Sequence, residues 1–441
     1  MGLGVALTAL ALAACSSSAD SGAGDSSGGS GVILTTGGSG GSSSSHAGAS
    51  STNTGGSSVI ASGGSAGSGP SSGGAGGNNG AQNTAGAGGS STAGAGGAAP
   101  VHYTCTTGLP SSVSDLQNMT SGSTVSQITK LGTRYDDPSQ HIATSDDLAF
   151  FADPQKEPVI PGSTSGLHLA ALQVTLYPSS GGVPIPADIN QHAIGNCDGD
   201  TAFASIAYQN PDFIKSLITD NHDDTYTVKM YDPLGNRLTI SLDNQFLVDG
   251  SGNIGAVSGK KGEADWATVL EKATMKYIQV YPVVGDIGGI GSEHQTPMFT
   301  GAGNSFAFDR GKLSPADLTR VVKASLAAGK LISGGFGIEG MALANGFQTV
   351  TAHGYAVFVP KDANTMISMR NPWGLDPTSS GYNGSTDGVL DIPADPTWSG
   401  TIDLRIIDPG DACGPGMTVP YLPSSGDVNA DSINISQPHA R

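Results

Sequence analysis

The chain has 441 residues, 67 of them glycine, and a formal net charge of -18 at pH 7. That balance argues against binding phosphate backbones, which needs clustered Lys and Arg to displace condensed counterions, so no nucleic-acid partner is expected. It suits solubility or calcium association equally, and Asp220, Asp223 and Asp224 read first as a solvated loop.

Residues 1–15 hold a short apolar run ending in Leu12-Ala13-Ala14-Cys15, too short for a stable membrane-spanning helix. It resembles a bacterial lipoprotein signal. That resemblance implies cleavage before Cys15, a lipid anchor on its sulfur, and an extracytoplasmic protein held to a membrane, with Ser16 favouring the outer one. The departure is the lack of any Lys or Arg from Met1 to Ala14. Residues 16–100 are almost wholly Gly, Ser, Ala, Thr and Asn, too poor in apolar surface to offset the entropy of ordering. They read as a disordered tether whose root-mean-square span is about 50 Å.

Residues 101–187 carry no recognisable signature and are expected to be an N-terminal extension or part of a first lobe. From Cys197, Phe203, Ile206 and Ala207 recur at helical spacing, and Asn210-Pro211 ends that helix while capping the next. Tyr226 to Tyr231 and Arg237 to Leu242 read as a hairpin across Asp232-Pro233-Leu234-Gly235-Asn236. Trp266, Val269, Leu270, Ala273 and Tyr277 mark one face of an amphipathic helix, and Ser314-Pro315 to Gly329 frames another.

Strands then follow at Leu331 to Phe336, Ala352 to Val359, Met366 to Arg370, Val389 to Ile392 and Ile402 to Ile407. The pattern predicts an α+β fold, with a helix-rich lobe over 188–285 and a strand-rich lobe over 286–420 meeting at a cleft. A disordered tail covers 421–441.

Four residue types supply a thiol-protease chemistry in order along the chain. Cys197 stands at a predicted helix start, where the helix end and a nearby imidazolium would lower a thiol pKa from ~8.5 into the range of roughly 3.5–7.5. His353, on an expected strand with Gly354 leaving room for close approach, can act as base. Asn371, held extended before Pro372, can orient the imidazole. Gln191 can offer an amide N–H to an oxyanion. Each has a bland reading when taken alone, as a core thiol, a satisfied histidine, a turn residue and a surface amide. His192, in the same turn as Gln191, reads as incidental.

Gln191 to Cys197, Leu270-Glu271-Lys272-Ala273 after Trp266, His353-Gly354-Tyr355-Ala356-Val357 and Arg370-Asn371-Pro372-Trp373-Gly374 together resemble a calpain-family cysteine protease core, a papain-like fold in two subdomains. The resemblance covers roughly Asp188 to Asp408. It implies Cys197 as nucleophile, His353 as general base, Asn371 as orienter and Gln191 as oxyanion donor. It implies a cysteine endopeptidase acting on protein or peptide through a thioester, calcium-dependent in type although the chemistry needs no cofactor. The alternative is a weak or inactive peptide-binding surface lipoprotein. A monomer is expected.

Two departures bear on activity. Asn196-Cys197-Asp198 puts a carboxylate where the family has Trp, and Asp200 adds another; negative charge there should raise the thiol pKa unless a cation neutralises it. Cys105 and Cys413 bracket the globular part and could be two buried thiols or a disulfide, worth up to about 5 kcal/mol in the loop-entropy model.

Overall fold

The computed structural model describes residues 112–121, 125–129, 142–160, 162, 166–282, 287–301, 304–308, 313–335, 349–350, 353–360, 365–375, 387–393 and 403–413. The signal-like run with Cys15, the tether, Cys105 and the tail lie outside them. Among the described residues no helix is long and apolar enough to cross a membrane.

Ser112 caps the short helix α1 (Val113–Asn118), which leads to strand β1 (Val125–Thr129). Helix α2 (Ser145–Ala152) opens on a capping box of Thr144 and Asp147, and β2 (His168–Ala171) follows. Helix α3 (Cys197–Gln209) stops at Asn210, whose side chain accepts from Phe213 N–H and so starts α4 (Pro211–Leu217). One residue thus closes a helix and caps the next, as its position before Pro211 predicts.

Strands β3 (Ile218–Asp220), β4 (Thr225–Tyr231) and β5 (Arg237–Asp243) form an antiparallel sheet, and β6 (Gln245–Val248) returns to pair with β2. Helix α5 (Trp266–Val280) is capped by Asp265. It is buried from Trp266 to Tyr277, so the expected amphipathic helix has no solvent face over that span. Its charged residues stay inside by pairing: Lys272 Nζ reaches Asp243 at 2.6 Å and Glu157 at 2.9 Å, and Lys276 donates to the Asp153 and Ser241 carbonyls.

After α6 (Ser292–Thr300), β7 (Asn304–Phe308), α7 (Pro315–Ala327) and β8 (Leu331–Gly335) come β9 (Gly354–Phe358), β10 (Thr365–Arg370), β11 (Val389–Pro393) and β12 (Asp403–Ile407). They make a seven-stranded sheet in the order β1-β7-β12-β8-β9-β10-β11, antiparallel throughout. The last strand in sequence lies inside the sheet, between β7 and β8.

Alternation along these strands feeds two cores. Leu331, Ala356, Phe358 and Ile407 share a cluster with Phe203, Ile206 and Trp266, whereas Ile332, Tyr355, Val357, Leu404 and Ile406 pack with Leu318, Val321 and Val322 of α7. Each large side chain fully buried this way contributes on the order of 1.5–3 kcal/mol. A strand such as β9, apolar on both faces, is what a sheet covered on both sides requires.

The described parts of 101–187 pair and pack with later elements. Strand β1 is an edge of the large sheet, Leu116 joins the second core, β2 pairs with β6, and Phe151 enters the first core.

Candidate active site

Helix α3 begins at Cys197, whose side chain is 1% exposed. The backbone N–H of Gly354, at the start of β9, points to Cys197 Sγ at 3.3 Å. Glycine permits this approach: a Cβ at position 354 would stand 2.7 Å from Asp198 Cα. His353 precedes the strand instead of lying on it, so the alternation expected to pair it with Tyr355 does not apply. Its ring still rests edge-on against Tyr355, with centroids 5.0 Å apart, and against Trp373 at 4.3 Å.

His353 Nε2 meets Asn371 Oδ1 at 2.7 Å. The orientation of that amide is fixed twice over: Asn371 Nδ2 donates to the Leu375 carbonyl at 2.7 Å, and Oδ1 accepts the Trp373 N–H at 3.0 Å. An amide oxygen only accepts, so Nε2 of neutral His353 carries the proton and Nδ1 keeps the lone pair. Nδ1 is buried and has no hydrogen-bond partner among the described residues. Burial depresses the His353 pKa to about 4, the Asn371 bond opposing it, so the ring is neutral at pH 7.

The Asn371 loop is tied to the Gln191 loop. Gln191 N–H donates to the Pro372 carbonyl at 2.7 Å. Arg370, buried, donates to the Pro186 carbonyl at 3.2 Å and the Ile189 carbonyl at 3.0 Å. The Gln191 carboxamide itself donates to the Ile194 carbonyl at 2.6 Å and to Asn196 Oδ1 at 3.3 Å, turned onto its own loop. His192 is exposed, with Nε2 2.8 Å from Ser258 Oγ.

Asn196 in turn bridges two buried acids, donating to Asp200 Oδ1 at 3.1 Å and to Glu271 Oε1 at 2.7 Å. Burial raises both carboxyls, Glu271 to about 7.

The Asp198 carboxylate pairs with Arg405 Nη1 at 2.5 Å, on β12, and Arg405 Nε also meets Glu293 Oε2 at 3.0 Å. Burial raises Asp198 to about 6 against the pull of Arg405, while the guanidinium and His294 hold Glu293 well below the usual range. Sequence reading missed Arg405, although a lone charge within Leu404-Arg405-Ile406-Ile407 is a signal that something must meet it.

The state of the sulfur was not foreseen either. Cys197 is disulfide-bonded, as is Cys413, whereas the other two cysteines lie outside the described residues. As a disulfide the sulfur is not a nucleophile; reduction must precede chemistry.

The model of the calpain family of cysteine proteases matches residues 180–386. That stretch belongs to the calpain family. No curated protein matches the chain. The calpain-type domain is a cysteine peptidase domain with a papain-like α+β core, and the sequence blocks named above fall within or beside the match. Its sheet extends beyond the matched stretch on both sides, through β1 and through β11 and β12. Among the described residues no group of three His, Cys, Asp or Glu is placed to hold a metal ion.

Proposed function

We propose that the reduced protein is a cysteine endopeptidase that cleaves internal peptide bonds of protein substrates through a thioester acyl-enzyme. The observation that carries this is the His353–Asn371 bond, with an amide orientation that leaves Nδ1 as the base. Nδ1 takes the Cys197 proton, and the thiolate attacks the scissile carbonyl carbon. The tetrahedral oxyanion is met by backbone N–H groups of the first turn of α3 and by the Gln191 carboxamide, which must turn away from Ile194 to reach it. His353 returns the proton to the leaving amine. It then takes one from water, whose oxygen attacks the thioester and releases the carboxylic acid and the free thiol.

The same reading places the enzyme outside the cytoplasm as a monomer, carried by a lipid on Cys15 and a tether over 16–100; the support is the sequence pattern alone. No step of the reaction is assigned to calcium. A second reading, a peptide-binding surface protein without turnover, draws on the buried, disulfide-bonded state of Cys197.

Reduced full-length protein treated with iodoacetamide or a thiol-directed epoxide separates the two. Endopeptidase function predicts labelling of Cys197 and casein cleavage that disappears in Cys197→Ala. Cleavage unchanged in that variant rejects the assignment, and a slowly alkylated thiol with no turnover selects the binding protein.

A further inference from the structure

We propose that Arg405 is a positioning residue of the catalytic centre: its guanidinium holds the carboxylate of Asp198, next to the nucleophile, and cancels the charge that would otherwise disfavour the thiolate. The inference takes Cys197 as the nucleophile, as proposed above, and adds a residue outside the stretch that matches the protease family.

Position 405 lies on the α3 side of the large sheet, the face from which Ile407 joins the first core, while Leu404 and Ile406 face the second. An apolar residue is the ordinary occupant of such a site. The guanidinium there is buried and meets three carboxylates from three directions. Asp198 comes from the first turn of α3 at 2.5 Å, Glu293 from the first turn of α6 at 3.0 Å, and Asp403 from its own strand at 3.5 Å.

Burying such a cluster is poor value for stability alone, because desolvation consumes most of the Coulombic gain. What it does accomplish is electrostatic. Asp198 follows Cys197 directly, and its Cα lies against Gly354, whose N–H reaches the sulfur. An uncompensated carboxylate there would oppose both the positive end of α3 and an imidazolium at His353.

The remaining charged or titratable groups around the sulfur have other anchors. His353 is held by Asn371, and Asp200 and Glu271 share Asn196. Glu293 also pairs with His294 at 3.2 Å. Among the described residues Arg405 is the cation that touches Asp198. It therefore does within the fold what an added metal ion would otherwise have to do.

The test is the pH dependence of Cys197 alkylation by iodoacetamide in reduced full-length protein, compared among wild type, Arg405→Gln, Asp198→Asn and the double variant. A charge at this range moves a pKa by roughly one to three units. Arg405→Gln should raise the alkylation midpoint by at least about one unit, making labelling about tenfold slower below it. Asp198→Asn should lower the midpoint, and the double variant should return it towards wild type.

An unmoved midpoint in Arg405→Gln, or a double variant as impaired as Arg405→Gln, overturns the proposal. If Arg405→Gln loses the circular dichroism of the folded chain, Asp198→Asn decides alone, and an unmoved midpoint in it is again fatal. Alkylation reports the thiol whether or not peptides are cleaved. Shifted midpoints without casein cleavage would sink the endopeptidase reading and leave this one standing; cleavage with unmoved midpoints would do the reverse.

Discussion

Gln191 and Pro372 are joined by a 2.7 Å bond between the backbone N–H of one and the carbonyl of the other, which ties the loop with the oxyanion candidate to the loop with Asn371. The side chain of Gln191 can be removed without cutting that link. Gln191→Ala should lower kcat by about 10²–10³ with little change in KM, as loss of an oxyanion donor does elsewhere. Steady-state kinetics on a fluorogenic peptide would check it, and an unchanged kcat would show that the carboxamide serves only Ile194 and Asn196.

Asn371→Ala removes the acceptor that fixes the His353 proton on Nε2. Turnover should fall by about 10²–10⁴, the range associated with general acid–base work, while Cys197 remains open to alkylation after reduction. Parallel loss of alkylation and turnover would mean that Asn371 supports the fold and not the base.

With Cys197 held in a disulfide, the thiol becomes available only on reduction. Iodoacetamide should not label Cys197 in the native, unreduced chain and should label it stoichiometrically once a phosphine has been added. Peptide mapping by mass spectrometry reads both. Casein cleavage should appear with the label and not before.

Glu271 offers a stability test with a definite sign. Burial raises it from 4.5 to about 7, so the folded chain binds an extra proton between those values. Its stabilising contribution is complete below pH 4.5 and is lost as the pH rises through 7. Glu271→Gln cannot titrate, and any constant cost of the substitution cancels when two pH values are compared. Its melting temperature relative to wild type should therefore rise by at least about 2 °C between pH 5 and pH 8. A difference independent of pH would contradict this.

Gly354→Ala puts a methyl group 2.7 Å from Asp198 Cα, backbone that cannot swing aside. The expected cost is about 1–3 kcal/mol of stability, read by denaturant unfolding, with cleavage lost more severely than stability because the strand beside the sulfur must shift.

The parts of this molecule that were legible in sequence are those whose local chemistry agrees with their final environment. Asn210-Pro211 ends one helix and begins another in any context, and Ser314-Pro315 caps α7 as written. Cys197, His353, Asn371 and Gln191 could be named because their order along the chain and neighbouring residues resemble a known set. Proline at 297 hid α6, since a helix carrying it reads as broken. The burial of Lys272 and Lys276 was hidden because their partners, Asp243, Glu157 and two carbonyls, come from other segments. Arg405 was missed for the same reason: its meaning lies in Asp198, 207 residues earlier.

Strand β12 enters between β7 and β8, two strands that do not touch each other. A ribosome delivers it after every other strand of that sheet, so β7 with β1 on one side and β8 with β9 on the other must wait as separate half-sheets until residues 403–407 emerge. The sheet is thus completed, and Asp198 given its counter-charge, only once residues 403–407 have been made. A fragment cut at the boundary of the family match would lack the strip that joins the halves.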